Sequence, residues 1–313
     1  MPAKVAESVD VPNASAVFGI PLPRITLINL CAQVGIVLTG GAVRLTGSGL
    51  GCPTFPSCTE EDFFPTPELD INGVIEFANR TLTGVIGLIA VLTLYAVWRL
   101  GRRDLLASAL GVLLGIAGQA LLGGLTVLTG LNPWTVALHF LVSMTLVAVA
   151  TRLHLRARTP TVERAPVAGA QRWLVVAMAV NLAIVLALGT VTTGSGPHSG
   201  DPEAGRTGLD VAAMSRIHAE SVYLLIGLTI ALILLTRKGP ALVHRAAWWV
   251  LGAEVAQGLI GITQYLTKLP VPLVEAHLLG AALLVVAMSR LWYVPGPRST
   301  ADQSSLQASS LGR

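Results

Sequence analysis

Eight apolar stretches, each close to the length that crosses a bilayer, dominate this chain of 313 residues. They run over about 24–44, 73–98, 105–127, 134–153, 172–193, 213–236, 244–266 and 271–293. A hydrocarbon core about 30 Å thick takes about 20 helical residues to span. Inside it every backbone polar group must be satisfied within the segment, so each stretch is expected to be a helix. Composition agrees: 53% of residues are hydrophobic and 12% charged, more apolar surface than a soluble chain of this size can bury. The expected fold is an all-α membrane protein with eight transmembrane helices.

Basic residues orient the bundle. All but five of the 21 Lys and Arg residues fall in the N-terminal tail, the even-numbered loops or the C-terminal tail, the exceptions being Arg44, Arg80, Arg206, Arg216 and Lys268. The positive-inside rule then places both termini in the cytoplasm. The opposite loops are acidic, with Glu60, Glu61, Asp62, Glu68 and Asp70 in one and Asp201, Glu203 and Asp210 in another. The net charge of +4 thus reflects anchoring at the inner face, and no nucleic-acid partner is expected. The first 23 residues carry Lys4 against Glu7 and Asp10. They show neither an Arg-rich amphipathic pattern nor a cleavable apolar region, so no transit or signal peptide is expected. A multi-pass protein of a bacterial plasma membrane is the simplest reading.

The chain also repeats itself. Gln119-Ala-Leu-Leu-Gly123 matches Gln257-Gly-Leu-Ile-Gly261, Leu128-Thr129 matches Leu266-Thr267, and His139 matches His277, each at a separation of 138 residues. Thr46-Gly-Ser-Gly49 recurs as Thr193-Gly-Ser-Gly196. The expected organisation is a cytoplasmic tail (1–23), a four-helix half (24–153), a basic cytoplasmic linker (154–171), a second four-helix half (172–293) and a cytoplasmic tail (294–313). Four is an even number, so both halves enter from the same side and are parallel repeats. Two similar sites should then lie side by side toward the outer leaflet.

Chemistry-bearing residues gather at that depth. His139 follows Pro133 and His277 follows Pro272, so at 1.5 Å per residue each imidazole sits roughly 8 Å inside its helix. His218 occupies the same level in the sixth helix. Histidines at one depth of a membrane bundle suit axial ligation of haem iron, and His218 with His277 would make a six-coordinate pair. A packed or water-bonded histidine is the bland alternative. His154, His198 and His244 fall at loops or interfaces and read as solvated. In the first half the position matching His218 is Asn79, or Arg80 by strict offset, and no histidine stands there. Glu76 shares their helical face at i, i+3 and i+4. An intramembrane carboxylate is costly and argues for a purpose; a Glu76–Arg80 pair supporting the helix start is the structural alternative.

Cys52 and Cys58 lie in the first outward loop, where an oxidising compartment permits a disulfide. Metal ligation fits their spacing less well. Cys31, within the first helix, reads as a core residue. Gly111, Gly115 and Gly118, like Gly258 and Gly261, allow close helix or macrocycle approach. Glu254 is a second intramembrane acid, suited either to a proton or quinone route or to a hydrogen bond with a neighbouring helix.

The string from Gly40 through Arg44 and Cys52 to Cys58 resembles the first-loop signature of the haem A synthases. Glu76-x-x-Asn79-Arg80 resembles their Glu-x-x-His-Arg motif, and eight helices in two repeats is their architecture. The resemblance covers most of 24–293 and departs from the family at position 79, where asparagine replaces histidine. It implies oxidation of the C8 methyl of haem O to a formyl group, giving haem A for terminal oxidases. It implies haem b on His218 and His277, and substrate haem in the first half with His139, Asn79 and Arg80, with Glu76 as the catalytic acid. Haem O synthase and the cytochrome oxidase assembly machinery are the implied protein partners. With Asn79 in place of histidine, the substrate iron is expected to be held by His139 alone. The alternative from another class is a cytochrome-b-like subunit that exchanges electrons with quinone.

Overall fold

The computed structural model describes residues 16–158, 169–239 and 241–294. Most of the two tails and the centre of the linker lie outside the described residues. Eight α-helices follow a short hairpin: α1 Leu22–Leu45, α2 Asp70–Arg99, α3 Arg103–Leu128, α4 Pro133–Ala157, α5 Gly169–Ser195, α6 Val211–Thr236, α7 Ala241–Leu266 and α8 Val271–Trp292. Their ends follow local chemistry. Asn132 accepts a bond from the Trp134 N–H at 3.0 Å just ahead of Pro133, and Asp210 accepts from the Ala213 N–H at 2.7 Å. Both are side-chain caps on otherwise orphaned N–H groups.

Seven of the eight helices are long and apolar enough to cross a membrane. The exception is α7, whose hydropathy is lowered by His244, Arg245, Glu254 and Gln257. It is nonetheless as long as its neighbours and packs between α6 and α8.

Consecutive helices pack as neighbours within the sets α1–α4 and α5–α8; α1 also packs on α4, whereas α5 and α8 touch only slightly. The sets meet where α8 lies against α1 and α4, and where α4 lies against α5. One apolar core draws on all eight helices, from Leu30 and Val37 of α1 to Val285 and Met288 of α8. Small residues let the backbones close up: a Cβ on Gly115 of α3 would run into Leu146 of α4, the packing expected between helices in lipid. The α1–α2 and α5–α6 loops dock on each other, with the Gly49 N–H donating to the Gly200 carbonyl at 2.9 Å, and beside them Arg44 Nη2 at the end of α1 donates to the Thr193 carbonyl of α5 at 2.9 Å.

Two features depart from expectation. Ala16–Val17 pairs antiparallel with Ile20–Pro21, turning through Phe18 and Gly19 at φ 53° and 72°, the left-handed conformations that a two-residue hairpin needs. Phe18 stacks on Tyr95 of α2 at 6.0 Å. Cys31 is exposed on α1 and is not a core residue. In a membrane helix the lipid-facing side is as apolar as the core side, so residue type does not reveal which way it points.

Candidate functional site

His218 of α6 and His277 of α8 face each other, with ring centroids 6.5 Å apart and planes at 74°. Two imidazoles ligating one metal from opposite sides put their ring centres roughly 6 Å apart, given a metal–nitrogen bond of about 2 Å. Glycines back both rings: a Cβ on Gly189 of α5 would lie 3.2 Å from His218 Cε1, and one on Gly261 of α7 would lie 3.3 Å from His277 Cε1. His218 Nδ1 pairs with the Val185 carbonyl at 3.1 Å. A carbonyl only accepts, so Nδ1 carries the proton and Nε2 keeps its lone pair, as a metal ligand requires. His277 Nδ1 is buried without a hydrogen-bond partner. The backbone behind each ring is pinned too: Gln257 Nε2 donates to the His277 carbonyl at 3.0 Å, and Ser221 Oγ to the His218 carbonyl at 2.6 Å. Among the described residues no three His, Cys, Asp or Glu side chains gather. Two histidines are too few for a bare four-coordinate ion; they suit a haem, which brings four ring nitrogens of its own.

His139 of α4 sits in a matching setting without a matching partner. A Cβ on Gly123 of α3 would lie 3.4 Å from His139 Cε1, and His139 Nδ1 is buried and unpartnered. Gln119 Nε2 donates to the His139 carbonyl at 2.9 Å and also bonds Ser143. This is the arrangement of Gln257 and Gly261 around His277, moved by 138 residues. Asn79 of α2 instead accepts a bond on Oδ1 from Thr39 of α1 at 2.7 Å.

Glu76 and Arg80 of α2 take other partners than Asn79 does and clamp the α1–α2 loop. Glu76 is 5% exposed. Its Oε2 accepts the Cys52 N–H at 2.6 Å, and its Oε1 accepts Arg80 Nη2 at 2.5 Å and Nε at 3.1 Å. The remaining guanidinium donors go to loop carbonyls: Nη2 to Cys52 at 2.8 Å, and Nη1 to Thr54 at 2.9 Å and Ser57 at 3.1 Å. A guanidinium offers five N–H groups in a fixed fork, and here every one of its nitrogens is engaged. The loop is closed by the Cys52–Cys58 disulfide, both sulfurs fully buried. Gly51 allows its close approach, since a Cβ there would strike the Asn72 carbonyl. Phe55 caps it by lying over Gly124 of α3, with the Arg80 guanidinium 5.9 Å from its ring centre.

The expected residues therefore divide. His218 and His277 come together, and so do Glu76, Arg80, Cys52 and Cys58; His139 and Asn79 bond to different neighbours. His154, His198 and His244, read as solvated, hydrogen-bond to Thr26 at 3.2 Å, the Leu269 carbonyl at 3.0 Å and Thr236 at 3.1 Å. Glu254 is bonded by Thr229 Oγ1 at 2.7 Å. Sequence reasoning named Gly261 for close approach but missed the roles of Gln119, Gln257, Gly123 and Gly189 beside the histidines. The signal was present, because Gln119, Gly123, Gln257 and Gly261 are the fixed letters of the repeated words.

The sequence pattern of the COX15-CtaA family, described as cytochrome oxidase assembly protein, matches residues 23–197. The chain belongs to this family. The proteins named Heme A synthase from Alkalihalophilus pseudofirmus and Shouchella clausii are each 31% identical to it. The first match runs over 135 residues (40% of this chain, 44% of that protein), the second over 154 residues (47% and 50%). The protein of the same name from Bacillus cereus is 34% identical over 113 residues, or 35% and 36% of the two chains. The chain thus spans about half or less of the curated relatives it matches. The COX15-CtaA match takes in α1 to α5, with the disulfide loop, Glu76, Asn79, Arg80 and His139, whereas His218 and His277 lie beyond it.

Proposed function

We propose that this chain is a haem A synthase, an oxidoreductase that converts the C8 methyl of its substrate haem O to the formyl group of haem A for terminal oxidases. The observation that carries the reading is the opposed His218–His277 pair in a membrane bundle of the COX15-CtaA family. The relatives named Heme A synthase set it above the electron-carrier alternative. In this reading the two helix sets are parallel repeats, 24–153 for substrate and 172–293 for haem b. They are joined by the linker 154–171, with the tails 1–23 and 294–313 in the cytoplasm and the bundle in a bacterial plasma membrane. Haem O synthase would deliver substrate, and oxidase assembly would take the product.

The residues divide the labour. His218 and His277 hold haem b, which supplies one-electron transfer when bound. Gly189 and Gly261 leave room for the rings, and the Val185 bond fixes the His218 tautomer. His139 of α4 would hold the substrate iron from one side, and Asn79 of α2, in the same helix set, is a polar side chain that does not complete a histidine pair. Arg80 holds the disulfide loop over this half and orients Glu76. Methyl oxidation releases electrons and protons, and the Glu76 carboxylate accepts a proton at the substrate edge.

The test is conversion. Expressed in cells that make haem O but no haem A, the protein is expected to produce haem A, identified by mass after extraction. Haem O left unchanged in membranes that contain the folded protein would overturn the proposal.

A further inference from the structure

Two carboxylates are buried among the described residues, Glu76 and Glu254, and the second has no part in the chemistry above. Glu254 lies mid-way along α7 and is 1% exposed. Thr229 of α6 donates to its Oε1 at 2.7 Å, while its Oε2 is buried with no hydrogen-bond partner. The described ion pairs join Arg80 to Glu76 and Arg102 to Asp104, so no cation answers Glu254. The neighbouring helices offer no charge at its level: α6 is apolar from Leu224 to Leu235 apart from Thr229, and α8 is apolar from Ala281 to Met288. The titratable and charged groups on these helices lie toward either end. On one side are Arg216, His218, Glu220 and Tyr223 of α6, Tyr265 of α7, and Glu275 and His277 of α8; on the other are Arg237, His244, Arg245 and Arg290.

One link leads from Glu254 to the histidine pair. Gln257, one helical turn along α7, donates to the His277 carbonyl at 3.0 Å, and its own Oε1 is unpartnered. Glu254 therefore sits one turn deeper than the residue that holds a haem ligand. An intramembrane carboxylate without a cation is expensive and marks function by default. A bis-histidine haem supplies the missing counter-charge in one oxidation state: its ferric core carries one net positive charge, and its ferrous core carries none.

We propose that Glu254 is the proton-binding site coupled to reduction of the second-half haem, ionised when the iron is ferric and protonated when it is ferrous. The inference rests on the haem b reading above. One electron from methyl oxidation reduces the iron, and one proton released in that reaction or drawn from water bonds to Oε2, so the net charge of the site is unchanged. When a one-electron acceptor of the quinone class takes the electron from the iron, the proton leaves Oε2 for water. Thr229 holds Oε1 and leaves Oε2 free to receive it.

Spectroelectrochemical titration of the purified, haem-loaded protein across a range of pH tests this. In the unmodified protein the midpoint potential is expected to fall with rising pH, toward the 59 mV per tenfold change in proton activity that one proton per electron requires. An infrared difference spectrum should show a protonated-carboxyl band that grows on reduction. Glu254→Gln should flatten the slope and remove the band while leaving the low-spin spectrum intact; Glu275→Gln should keep both. A slope and band that survive in Glu254→Gln, or that vanish in Glu275→Gln alone, would overturn the assignment. A pH-independent potential in the unmodified protein would overturn the assignment even if Glu254→Gln fails to fold. Low-spin haem with a pH-independent potential and no carboxyl band ends this inference alone, and absence of low-spin haem ends the haem b reading with it.

Discussion

Alanine in place of either His218 or His277 is expected to abolish the low-spin spectrum of the resident haem. The two rings oppose each other at 6.5 Å, and each is backed by a glycine of a neighbouring helix rather than by a side chain that could take its place. Each variant leaves one axial position empty, and the described residues place no other histidine beside the pair. The low-spin signal should fall at least tenfold, with the haem either lost or converted to a high-spin form. His139→Ala should leave that signal unchanged, because His139 stands in the other helix set, with Gly123 and Gln119 as its neighbours. An unchanged bis-imidazole spectrum in both His218→Ala and His277→Ala would refute the ligand assignment.

Glu76→Gln is expected to lower haem A formation per folded protein by about 100-fold, the scale of lost general acid–base catalysis. The structure sharpens how this must be read. Glu76 already accepts the Cys52 N–H and two donors of Arg80. A glutamine must turn its NH2 group toward one of these donors, so some loss of stability is built in, about 1–3 kcal/mol for a disturbed buried bond to a charged group. If Glu76 serves only to clamp the loop, the variant should fold less well, expose the Cys52–Cys58 loop to protease and make normal product per folded molecule. The catalytic assignment instead demands that haem O, or a partly oxidised intermediate, accumulates on protein whose loop is still protected. Near-normal haem A per folded protein would end it.

The helices were legible because lipid imposes a simple rule, and each apolar run is bounded by residues that stop or start a helix, such as Pro133 and Pro270. Even α7 was legible by length, although its polar residues hold its hydropathy down. The histidine pair was legible from depth alone, since His218 and His277 lie at one level of two helices that the bundle brings together. The disulfide was legible because both cysteines fall in one loop. Other features depend on chain paths that no periodicity encodes. Helical spacing placed Glu76, Asn79 and Arg80 on a shared face, yet the preceding loop folds back and takes up Glu76 and Arg80 through its own backbone, leaving Asn79 to Thr39. Cys31 was misplaced because apolarity in a membrane helix marks lipid and core alike. The hairpin at Ala16–Pro21 is too short to show an alternating pattern.

The division of the molecule into a haem b half and a substrate half is tested most directly by extracting and weighing the haems of the purified protein. Prepared from cells that supply haem O, the unmodified protein is expected to yield haem b together with haem O or haem A. His139→Ala should lose the second kind and keep the first, and His277→Ala should lose haem b. A single haem species in the unmodified protein, or loss of the same haem from both variants, would contradict the account.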